Sequence, residues 1–277
     1  MRSKARWALP VIGPALVILL SFHPTPIHAQ IVPDWDFSVS LFGGGAFPFD
    51  TDVGGTNVPT VLIRGGINVD PGRATGTFPD MQLNSSFGFG GKVGAWTLAF
   101  RAATGLDFGA EIDVTHFTPD WDAQLVTMKG QWISDRPQGG PAGSLVPRPG
   151  QRLTLSGSIP LVLPSFDIDA TIVAVNVLTR VPLYQSPSFP NGRLQGYVGV
   201  GAGVETAALE ISGVGSAQDT GFAFQALAGG KVFLTRHVAL FAEYKFTHSS
   251  HSWNVQSTKI EADLNVNDVV GGLAFHF

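Results

Sequence analysis

The chain has 277 residues, with 17 Lys and Arg against 21 Asp and Glu, only 14% charged residues and no cysteine. An acidic balance argues against a nucleic-acid partner, because phosphate backbones are gripped by Lys and Arg. The lack of cysteine excludes disulfide staples, and the length allows one large domain or two small ones.

The N-terminus reads as a secretory signal over residues 1–29. Arg2, Lys4 and Arg6 form a positive start, Trp7 to Phe22 is apolar, and Ile27-His28-Ala29 precedes a cut before Gln30. Pro10 and Pro14 interrupt the apolar run, which tells against a permanent spanning helix. Cleavage would remove three positive charges and no acid, taking the formal balance from −4 to −7. Beyond it no apolar run reaches helical spanning length.

Residues 30–277 read as strands in chain order. Trp35 to Phe47 places Phe37, Val39 and Leu41 on one face and Asp36, Ser38 and Ser40 on the other. That period of two is the signature of a strand. A stretch of Gly, Pro, Asp and Asn at about 48–85 reads as a long loop. Ser86 to Leu98 and Leu106 to Phe117 alternate again. Leu106, Phe108, Ala110, Ile112 and Val114 stand against Glu111, Asp113 and Thr115. The stretch at about 118–167, with RPQGGPAG and LVPRPGQ, reads as a second long loop, with room for a short hairpin at Leu153 to Leu163. Ile168 to Val181, Arg193 to Ala207 and Phe222 to Leu234 follow. The last two strands run from Val238 through Phe246 and over Asp268 to Phe277. Eight strands, an even number, with links predicted to be longer after the odd ones, imply an all-β, antiparallel, up-and-down transmembrane barrel with both termini periplasmic. The same strand content fits a soluble sandwich or a lipocalin-type barrel. The low charge, the export signal and the terminal aromatic favour the membrane.

The stretches FSVSLFGGGAFPFDTD, VLTRVPL, GRLQGYVGVGAG, GGKVFLTRHVALFAEYKFTH and GGLAFHF, in that order and spacing, resemble the eight-stranded outer-membrane β-barrel family of OmpA-type and opacity-type domains. The resemblance spans nearly all of residues 35–277. It implies a fold and an outer-membrane location, with lipid and the assembly machinery as partners, but no activity, because the family hosts many. It also implies that Phe277 is the terminal aromatic read by that machinery.

Strand parity points Lys92, Glu111, Asp113, Arg180, Glu205, Lys231, Glu243 and Lys245 into the lumen, four positive and four negative. Eight strands leave an interior that side chains fill, and lone buried charges are costly. A paired plug is therefore expected, with a narrow ion path as the alternative. A second constellation is His248, Ser250 and Glu261, on or near the outward row of the seventh strand. A His-x-Ser with a downstream Glu suits a hydrolytic triad. It resembles the outer-membrane lipid A deacylase family, from which the following His-Ser-Trp departs. Three further patterns carry little. His248-x-x-His251 lacks a third ligand. Asp50-Thr-Asp52-Val-Gly starts like a calcium loop but has Val61 where position twelve needs Glu. Gly199, Gly201 and Gly203 lie inside a strand with the wrong spacing for a nucleotide loop, and would give room to side chains such as Lys231. No cofactor and no metal are expected. The reading is a monomeric, non-enzymatic barrel with a filled lumen that acts through its exterior loops.

Overall fold

A computed structural model describes residues 35–64, 67–138 and 151–277. The expected signal segment, residues 1–29, lies outside the described residues. The described residues form thirteen strands: β1 (Trp35–Pro48), β2 (Thr51–Arg64), β3 (Ile67–Met81), β4 (Ser86–Thr97), β5 (Asp107–Phe117), β6 (Asp120–Trp121), β7 (Gln124–Gln138), β8 (Gln151–Leu163), β9 (Phe166–Leu183), β10 (Leu194–Ile211), β11 (Gly215–Phe233), β12 (Val238–Val255) and β13 (Thr258–His276). One helical turn, α1 (Arg101–Thr104), lies between β4 and β5.

Eight of these strands close a ring in the order β1-β4-β5-β9-β10-β11-β12-β13, and β13 pairs back onto β1 from Ser38↔His276 to Pro48↔Val266. All the pairings are antiparallel. Their parity is inverted relative to a soluble sandwich. Outward residues such as Val175, Val177, Val200 and Phe222 are more than half exposed, while Asp113 and Lys245 are wholly buried. A sheet with aliphatic residues outside and charges inside is the arrangement of a membrane barrel. Gly201 shows how tightly the inside is filled. A Cβ there would collide with the Asn176 amide from the neighbouring strand. The glycine row of β10 thus makes room for Asn176 and Leu178 rather than for Lys231.

The two long loops read from the sequence are not loops. β2 and β3 form a hairpin from the first, and β7 and β8 form one from the second. β3 pairs β7 and β8 pairs β2 at Val61↔Val162, so the four strands close a small annex of their own. β2 fastens it to the ring by pairing with β13 at Val53↔Ala262 through Thr56↔Lys259. The alternation in β2 and β3 is hidden by register shifts between Thr51 and Val53, between Gly55 and Val58 and between Leu62 and Ile63. Across the shift between Gly55 and Val58 the buried residues of β2 change parity, from Thr51 and Val53 to Val58, Thr60 and Leu62.

The links after the fifth and seventh ring strands are also shorter than expected. β10 and β11 pair to Ile211↔Gly215, and β12 and β13 pair to Val255↔Thr258. What reads as a polar loop after His248 is strand, because its outward residues stand clear of the belt and need no apolar side chains. These extensions and the annex enclose one apolar core, including Phe78, Met128, Trp132, Leu161, Leu209, Trp253 and Leu264. Trp132, wholly buried there, supports the annex. Trp132→Ala should cost roughly 3–5 kcal/mol. It should open the β2–β3 and β7–β8 hairpins to limited proteolysis while the ring keeps its heat-modifiable gel mobility.

Candidate functional site

The lumen is layered. At the end that holds both ring termini, Arg180 is the hub. Its Nη2 lies 2.7 Å from Asp36 Oδ2, its Nε 2.8 Å from Asp107 Oδ2, and its guanidinium 4.5 Å from the Trp96 ring centre. The other Asp36 oxygen meets His276 Nδ1 at 2.8 Å. Asp107 is also clasped by Arg101 on α1 at 2.6–2.7 Å, and Arg101 donates to the Pro190 carbonyl at 3.0 Å. The links at this end are thereby tied to the lumen charges.

In the middle layer, Lys92 Nζ donates to both Glu243 oxygens at 2.6 Å and to Glu111 at 3.2 Å. Lys245 is bonded to Asp113 and, at 3.0 Å, to Thr115 Oγ1. Tyr197 donates to Glu243 at 3.0 Å, and Asn176 donates to Glu111 at 3.2 Å. Lys231 stands apart. It has no carboxylate within ion-pair distance among the described residues, and its Nζ sits 5.8 Å and 5.5 Å from the ring centres of Trp96 and Tyr197. Glu205 lies higher still, 3.5 Å from His251 Nε2. Above this layer the interior turns apolar and becomes the core shared with the annex.

All eight lumen residues singled out from parity are buried. Lys92, Glu111, Asp113, Glu243 and Lys245 meet in one network, Arg180 belongs to a second, and Lys231 and Glu205 join neither. Sequence reasoning missed Asp36, Asp107 and Asp268, which are also buried. The signal was present for all three, since Asp36, Asp107 and Asp268 share the inward parity of their strands. Among the described residues the buried set therefore holds seven acids against four bases, with His251 and His276 beside them, rather than four against four.

The candidate triad is not assembled. His248 Nδ1 meets Asn265 Oδ1 at 2.8 Å, Ser250 donates to Asp263 at 2.6 Å, and Glu261 pairs with Lys259 at 2.6 Å. The register places Ser250 opposite Asp263 and Glu261 opposite Ser252, so the acid stands one outward position too far along β13. Ser250 and Glu261 line an open acidic cleft of about 420 Å³ with Asp52, Asp219, Ser252 and Asp263. His251, three residues from His248, is buried on the inward face, so the two imidazoles do not share a side of the sheet. Asp52 accepts the Asp80 N–H at 3.1 Å and braces the β2–β3 hairpin.

The sequence matches no family model and no curated protein. Similar solved structures include Neisserial surface protein A, at 11% identity over 87% of this chain and 97% of that one, with a TM-score of 0.36. The outer membrane protein OprG from Pseudomonas aeruginosa is similar at 15% identity over 88% and 96%, with a TM-score of 0.40. Ail, the attachment invasion locus protein of Yersinia pestis, is similar in its complex with the heparin analogue sucrose octasulfate. It shows 12% identity over 87% and 99%, with a TM-score of 0.33.

Lys92 holds three carboxylates at once, so its loss strands buried charge. Lys92→Met should destabilise the barrel by about 3–5 kcal/mol, the usual cost of removing one partner of a buried ion pair. Lys92→Met combined with Glu243→Leu should recover part of that loss. Urea unfolding in detergent, followed by tryptophan fluorescence, measures both.

Proposed function

We propose that the mature chain is a monomeric barrel of the bacterial outer membrane with a closed lumen, and that its exterior annex does its work as a surface-interaction or envelope-supporting element. The observation that carries this is the height of the outward apolar belt. On β1 it runs from Phe37 to Phe47, both about half exposed. Ten residues at about 3.3 Å each, tilted by roughly 40°, rise about 25 Å, the height of the lipid-facing band of such barrels. Outward residues beyond it turn polar, as at Thr206, Thr220, His248 and Asn265.

The end with less chain beyond the apolar belt belongs on the periplasmic side and the end with long excursions outside. Here the annex and the extended β10–β11 and β12–β13 hairpins are the long excursions. That orientation puts the chain ends and α1 in the periplasm and the annex outside. The partners in this reading are membrane lipid, the assembly machinery that reads Phe277, and a surface ligand held by the annex. Side-chain placement favours neither a narrow channel nor an outer-leaflet lipid hydrolase. The Lys92–Glu243 bridge and the apolar cap lie across any axial path, and His248, Ser250 and Glu261 each hold a different partner.

Purified barrel in planar bilayers should show no steady conductance. Stable single-channel steps would overturn the closed lumen, and recovery of the protein in a soluble periplasmic fraction would overturn the location.

The end of β13 gives a second test. Phe277 is 75% exposed and its N–H pairs with the Phe37 carbonyl at 2.9 Å, whereas His276 is buried against Asp36. Phe277→Asp should cost only about 0–1 kcal/mol at the interface. It should leave refolding into detergent intact while lowering the folded amount in cells. His276→Asp places a second carboxylate against Asp36 and should impair refolding itself. Equal behaviour of the two variants in the refolding assay would sink this assignment.

A further inference from the structure

Backbone pairing between β11 and β12 runs only as far as Ala223↔Ser249. On either side the ladders continue, β10–β11 to Ile211↔Gly215 and β12–β13 to Val255↔Thr258. Two hairpins therefore stand side by side, just beyond the outward Phe222 and Phe224, with a seam between them where the ladder is missing. Side chains cross that seam. Asp219 Oδ2 accepts the Ser252 N–H at 3.0 Å and lies 3.3 Å from His251 Nδ1. Gln256 donates to the Val214 carbonyl at 2.7 Å. Trp253 donates to the Ala207 carbonyl at 2.8 Å, reaching past β11 to β10, and His251 stacks on its ring at 5.0 Å.

The other His251 nitrogen faces inward. Nε2 is 3.2 Å from Ser249 Oγ and 3.5 Å from Glu205 Oε1. The Glu205 side chain is 1% exposed, and neither of its oxygens has a hydrogen-bond donor. A neutral imidazole has a single N–H. If that N–H serves Asp219, Nε2 can only accept, from the Ser249 hydroxyl, and Glu205 is left as a buried carboxylate with no donor. Such a group is costly. A proton shared between His251 Nε2 and Glu205 removes the defect, because both imidazole nitrogens then have a carboxylate to serve.

The charged groups around His251 agree. Glu205 faces it from β10 and Asp219 from β11. Its inward neighbours on β13, Ala262 and Leu264, are apolar. Across the outer cleft stand Asp52 of β2 and Glu261 and Asp263 of β13, with Lys259 engaged by Glu261. On β12 itself, Ser249 and Trp253 carry no charge.

We propose that His251 is a proton-operated latch on this seam. With the shared proton present it ties Glu205 on β10 and Asp219 on β11 to β12. Loss of that proton withdraws the tie to Glu205 and loosens the seam above the membrane surface, leaving the Ser252–Asp219, Gln256–Val214 and Trp253–Ala207 bonds to cross it. The seam is therefore closed while that proton is held between the two carboxylates and loosened when it is lost. The latch leaves the ring within the belt untouched, because backbone pairing between β11 and β12 is continuous from Ala223 to Phe233.

The test is hydrogen exchange by mass spectrometry on the full barrel in detergent, at about pH 5.5 and about pH 8.5, a range that spans histidine titration. Each rate is divided by the intrinsic chemical rate at that pH. Protection of residues 215–222 and 250–255 should fall by about tenfold or more at the higher pH, the scale of one hydrogen bond to a charged group. Phe241–Thr247 should not change. Glu205→Gln needs no shared proton, since its amide donates to Nε2, so its protection should be independent of pH. His251→Gln should also lose the pH dependence. Heat-modifiable mobility identifies folded protein, and if His251→Gln does not fold, Glu205→Gln decides. Equal corrected protection in the unaltered protein at both pH values, or the same pH dependence in either variant, would overturn the latch.

Discussion

Everything in this protein depends on the closure of β1 onto β13. A sheet in lipid cannot leave an edge, because each unpaired N–H or C=O in hydrocarbon costs several kcal/mol. The eleven paired positions from Ser38↔His276 to Pro48↔Val266 remove the two edges that the chain would otherwise expose. Closure at eight strands also fixes the interior volume at a size that side chains must fill. The inward residues therefore meet whether or not they suit one another, and charges among them must be satisfied locally. Lys92 among Glu111, Asp113 and Glu243, and Arg180 between Asp36 and Asp107, are the result.

The same strands serve two solvents along their length. Within the belt, apolar side chains face outward, so polar ones fill the lumen. Beyond it, β9 to β13 continue into water, and the preference reverses. Leu209, Trp253, Ile260 and Leu264 turn inward and make a core of the kind found in soluble proteins. β4 and β5 end near the boundary and β1 only a little beyond it, so these strands cannot cover that core. The annex of β2, β3, β7 and β8 covers it instead. Glu205 and His251 lie where the charged lumen meets the apolar cap, which is why a buried carboxylate there finds so few donors.

Sequence periodicity determined the belt portions of the eight ring strands and their parity, since a period of two with lipid on one side leaves its trace in each of them. It also determined that Lys92, Asp113, Arg180 and Lys245 point inward, because parity is a local property of each strand. The annex was not legible in the same way. Register shifts and the positive φ at Asn57 and Asp80 break the alternation of β2 and β3, and prolines at 59, 71 and 160 look like loop residues until their strand partners are known. Only the tertiary structure decided which lumen charges pair, because Lys92 and Glu243 are 151 residues apart and parity says nothing of height or facing. It also separated His248, Ser250 and Glu261, close in sequence yet held by Asn265, Asp263 and Lys259, since the register between β12 and β13 sets which side chains stand opposite one another.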